Sequence, residues 1–104
     1  MNEDEARHHA AIIFRRLTPW FKRLPNTMYR LIVVNDIYDS CYNFYIEISR
    51  KNTLTRLVPL HEISDYDLDS LALILKALNR DCHLPIKFRN FTDANRKRLS
   101  SCFR

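Results

Sequence analysis

CYNFYIEIS, residues 41–49, alternates without a break: Tyr42, Phe44, Ile46 and Ile48 against Cys41, Asn43, Tyr45, Glu47 and Ser49. Side chains of a strand point to opposite faces at a period of two, so the stretch reads as a strand with one face buried and one wet. Upstream, residues 28–34 (Met-Tyr-Arg-Leu-Ile-Val-Val) are β-branched and aromatic enough for a second strand. Asn35, Asp36, Asp39 and Ser40 lie between them and supply turn chemistry. Downstream, Lys51–Asn52 closes a hairpin onto Thr53–Leu60. That register sets Ile46 opposite Leu57 and Glu47 opposite Arg56, and Pro59 confines the third strand to an edge.

Helices flank this core. Asn2 with Glu5 forms a capping box ahead of the stripe Ala6, Ala10, Ile13 and Leu17. Thr18–Pro19 reads as the cap and first position of a short second helix over Trp20–Leu24. Ser64 is expected to cap a helix over residues 65–79, with Ile63 and Leu68 as a hydrophobic staple and Asp65, Asp67 and Asp69 near its positive end. Leu68, Leu71, Leu73, Ile74, Leu75 and Leu78 make that helix apolar over more than half its girth, as expected of a helix sandwiched in the core or seated in a partner. Residues 86–91 read as a short strand or an extended loop, and Thr92 caps a last helix whose Leu99, Cys102 and Phe103 share a side. The expected fold class is α+β: one domain over residues 1–104, an antiparallel meander of three strands, or four if residues 86–91 pair, packed with helices in the order ααβββαα.

The 104 residues include no glycine, where about seven would be usual. Glycine-built phosphate loops, the dinucleotide fingerprint and the glycine-flanked nucleophile elbow are therefore excluded. Three widely spaced cysteines, Cys41, Cys82 and Cys102, read as reduced thiols. The apolar runs are too short to span a bilayer, and the acidic first residues do not resemble a secretory signal. Cytoplasm, the protein's own or a host cell's, is the expected location. Net charge is +5, with residues 6–34 and 82–104 basic and 35–69 acidic.

Four clusters invite a chemical reading. His8–His9 with Glu5 lacks the three or four convergent ligands of a zinc site and reads as surface histidines. Cys82–His83 sits where a helix ends, away from the environment that activates a thiol. Asp65, Asp67 and Asp69 fail the calcium-loop pattern, which needs glycine at position six and glutamate at twelve, and read as helix-start acids. Basic residues among aromatics remain. Arg15, Arg16, Trp20, Lys22 and Arg23 form one set, and Lys87, Arg89, Arg96, Lys97 and Arg98, with Phe88 and Phe91, form another. The expectation is a non-enzymatic interaction protein, an inhibitor or regulator of the type found in phages and mobile elements. It uses the first set against a larger protein or protein–nucleic-acid complex, with no metal or cofactor. The alternative is direct binding of DNA or RNA through the second set. Homodimerisation through residues 65–79 or 28–34 is compatible with both.

Overall fold

Three helices cover one face of a four-stranded sheet in the computed structural model, which describes residues 1–51 and 53–101. The chain runs α1 (Glu3–Leu17), a single 3-10 turn (Thr18–Trp20), β1 (Thr27–Asp36), β2 (Cys41–Arg50), β3 (Arg56–Ile63), α2 (Leu68–Leu78), β4 (Ile86–Arg89) and α3 (Asp93–Ser100). Strand order is β3-β2-β1-β4. β1, β2 and β3 form the expected antiparallel meander, and β3 with Pro59 is an edge. β4 runs parallel to β1, so the sheet is mixed. A parallel neighbour needs a long crossover, here the path through β2, β3 and α2, and turn chemistry carries no sign of it.

The register of β3 differs from the expected one. Ile46 faces Val58, Glu47 faces Leu57 and Ile48 faces Arg56, with a bulge where Phe44 pairs with His61 but Tyr45 with Pro59. Leu60 and Ile63 stand an odd number of residues apart, so strict alternation would bury one and expose the other. The bulge inserts one residue and turns both into the core, where they are 3% and 0% exposed.

Helix boundaries shift for equally local reasons. Glu5 N–H donates to Asn2 Oδ1 at 2.8 Å, the expected cap of α1, and Ala6, Ala10, Ile13 and Leu17 are its buried stripe. The Thr18 hydroxyl donates to Phe14 O at 2.7 Å where α1 ends. No helix forms over Trp20–Leu24: the chain leaves the 3-10 turn extended at Phe21 and turns at Arg23, φ 47°. Ser64 is not the cap of α2. Asp67 is, accepting from Asp69 N–H, while the Ser70 hydroxyl donates to Asp65 at 2.8 Å. Thr92 caps α3 as expected, and Leu99 is buried. Asn52, Cys102 and Phe103, which enter the hairpin and last-helix readings, lie outside the described residues.

Without glycine, the left-handed backbone positions among the described residues fall to Arg23, Asn26, Ser40 and Asn90. Asparagine tolerates this region best; Arg23 and Ser40 carry a cost of about 1 kcal/mol each. The apolar girth of α2 is used internally. Leu71, Ile74, Leu75 and Leu78 are buried, and Leu68, Ala72, Leu73 and Ala77 pack against the same core from the flanks.

Candidate functional site

Arg23 of the first set lines an apolar cleft. Phe14, Leu17 and Thr18 from the end of α1, Phe21 and Arg23 from the following loop, and Asp81, Cys82, His83 and Leu84 from the α2–β4 connection enclose about 340 Å³. That volume lies within the usual range of binding pockets. Phe14 and Phe21 stay 37% and 36% exposed at its mouth, with Leu24 exposed nearby. Phe21 is held edge-on to the Tyr29 ring at 4.9 Å, and the Arg23 guanidinium carbon lies 5.7 Å from the Phe21 ring centroid. Arg15 and Lys22, neighbours in sequence of Phe14 and of Phe21 and Arg23, are exposed. Asp81 is the one acid in the lining.

Two members of that set are committed elsewhere. Trp20 packs against the core under Arg56, whose guanidinium carbon stands 4.8 Å from the ring centroid. Arg16 donates to Leu60 O at 2.7 Å, capping the carbonyl that the β3 bulge turns aside.

The second set does not converge. Lys87 and Arg89 alternate onto the sheet face opposite the helices, while Arg96, Lys97 and Arg98 lie on α3. Arg96 pairs with Asp93 at 2.6 Å, and Arg98 pairs with Asp69. Phe88 and Phe91 are partly buried against the core. They meet each other edge-on at 5.6 Å, and Phe91 stacks on Tyr42 at 5.9 Å.

On the uncovered sheet face, Glu47 is only 4% exposed. Arg30, opposite it on β1, donates from Nε at 2.7 Å, and Arg89 of β4 approaches at 3.6 Å. Beside this ion-paired layer Ile32 is fully buried, which accounts for the two-sided apolar pattern of β1.

Sequence reading missed a histidine pair. The bulge brings His61 to α1, where His9 Nδ1 and His61 Nε2 stand 2.9 Å apart and Arg16 lies 3.4 Å from His61 Nδ1. Burial, with His9, Arg16 and His8 alongside, lowers the His61 pKa below its usual 6.5, against a smaller opposing pull from Glu62. One nitrogen must carry the hydrogen and the other a lone pair, a hydrogen bond rather than a metal site. Two ligands on one tetrahedral ion, each at ~2.0–2.1 Å, would stand about 3.4 Å apart. Among the described residues no group of three or more His, Cys, Asp or Glu is placed to hold a metal.

Both described thiols are held protonated. Burial, then Glu62 beside it, pushes Cys41 up to about 11, and burial raises Cys82. His83, next to Cys82, is exposed. No helix among the described residues is long and apolar enough to cross a membrane. Compared with known proteins, the chain matches no family model, no curated protein and no solved structure.

Proposed function

We propose that this is a cytoplasmic protein-binding module, without catalytic activity or cofactor, that acts as a regulator or inhibitor by docking an acidic segment of a larger partner. The observation that carries the reading is the apolar cleft between Phe14, Phe21 and Leu84 with Arg23 on its rim and Arg15 and Lys22 beside it. An aromatic or aliphatic anchor enters the cleft, and carboxylates flanking it meet the cations. Such an arrangement places binding energy in a desolvated apolar anchor and leaves orientation and on-rate to the rim.

Selection from a displayed peptide library tests it. The expected result is enrichment of peptides with an aromatic or aliphatic residue flanked by Asp or Glu, lost in Phe21→Ser and in the charge reversal Lys22→Glu/Arg23→Glu. No enrichment, or enrichment that both variants retain, removes the cleft as the site.

Nucleic-acid binding stands second, because its cations are spread over two faces and Arg89, Arg96 and Arg98 are ion-paired. A low-salt gel shift abolished by neutralising Lys87, Arg96 and Lys97 would reverse that order.

A further inference from the structure

We propose that a second copy of this chain occupies the cleft, seated by the tip between β1 and β2. This rests on the docking reading above and supplies a regulation of the same cleft. The tip is Asp36-Ile37-Tyr38-Asp39, an apolar pair flanked by carboxylates, with Ile37 62% and Tyr38 99% exposed. Asp39 N–H donates to Asp36 Oδ1 at 3.1 Å, which ties the two ends of the tip together. This is the chemistry that the cleft and its rim select: an aromatic anchor, an aliphatic neighbour and acids on both sides.

Tip and cleft lie at opposite ends of the strands. β1 begins beside the end of α1, since the cleft loop leads directly into Thr27 and Arg56 covers Trp20. It finishes beside the start of α2, where Tyr66 hydroxyl donates to Asn35 Oδ1 at 2.6 Å. A ten-residue strand spans about 33 Å, so no molecule reaches its own cleft with its own tip. Charge follows the same axis. Arg15, Lys22, Arg23, Arg50, Lys51 and Arg56 outnumber Asp81 at the cleft end, and Asp36, Asp39 and Glu62 outnumber Arg89, which is paired with Glu47, where β1 and β4 finish. Opposite poles on one molecule favour head-to-tail contact and disfavour a two-fold dimer that sets like ends together. Self-association of this kind covers the cleft, so rising protein concentration withholds it from an outside partner.

Sedimentation velocity of the full chain, from low-micromolar to millimolar concentration, tests this. Association is expected to grow with concentration and to weaken at high salt. The tip variant Ile37→Ser/Tyr38→Ser and the cleft variant Phe21→Ser should each weaken it about tenfold or more, as loss of an anchor does. Lys22→Glu/Arg23→Glu serves as the second cleft variant should Phe21→Ser unfold. Mixing tip and cleft variants should restore a complex that stops at one-to-one, because one tip and one cleft survive between them. A monomer at every concentration, or association that the variants leave unchanged, overturns the proposal. If that happens while displayed acidic peptides still select the wild-type cleft, only self-docking falls; if the cleft variants change neither assay, both readings fall.

Discussion

His61 illustrates how a single side chain takes its meaning from the fold. Its position in β3 gives no hint of a partner, yet the bulge seats it 2.9 Å from His9 and close to Arg16. A histidine whose folded pKa lies below its unfolded value takes up fewer protons folded than unfolded near pH 6. Its contribution is therefore complete above the unfolded value of 6.5 and is lost as pH falls from there toward the lowered folded pKa. Urea unfolding of wild type and His61→Gln across pH 5 to 7.5 should diverge below about 6.5, with the variant the flatter of the two. Parallel profiles would show that the pair is electrostatically idle. Asp67 makes a second residue-scale case, since it and not Ser64 caps α2. Asp67→Ala should cost about 1 kcal/mol in urea or thermal unfolding, and Ser64→Ala should stay within about 0.5 kcal/mol. The reverse ranking would restore the cap expected from sequence.

Elements depend on contacts that cross between them, and Glu47 holds the clearest of these. It joins β2 to β1 through Arg30 and, at 3.6 Å, to the parallel strand β4 through Arg89. Removing its charge leaves two guanidinium groups over a buried Ile32 with no carboxylate between them. Breaking a buried ion pair costs about 3–5 kcal/mol, but Arg30 and Arg89 are more than a third exposed and rehydrate in part. Glu47→Gln should thus lower stability by about 2 kcal/mol, read from the urea midpoint, and Arg89→Ala by less; a change within 0.5 kcal/mol for Glu47→Gln would mean the pair is neutral. At this scale the alternation of residues 41–49, the caps at Asn2 and Thr92 and the edge position of Pro59 were all legible. The β3 register was not, because two core residues at odd spacing can be reconciled only by a bulge. Arg56 pointed toward Glu47 by charge, while the pairing of β1 with β2 assigns that carboxylate to Arg30.

For the whole molecule, the basic ends seen in the sequence resolve into different things. Arg15, Lys22 and Arg23 gather at the cleft end, whereas the cations of β4 and α3 separate onto opposite sides of the sheet. α1 and α2 both start at the acidic end and finish at the basic one, as the ion pair of the N-terminal amine with Asp65 and the shared cleft show. Acids at helix starts and cations at helix ends suit both helix dipoles, so this polarity also agrees with local stability. Sequence by itself determined the meander, the helical stripes, the absence of glycine-built loops and the basic character of the cleft segment, because periodicity, capping and composition act over a few residues. Tertiary structure alone decided the parallel docking of β4, the bulge that joins His61 to α1 and the closing of Phe14, Phe21 and Leu84 into one cleft. Those contacts join residues far apart in the chain, and they arise where the core must bury surface that local rules leave unassigned.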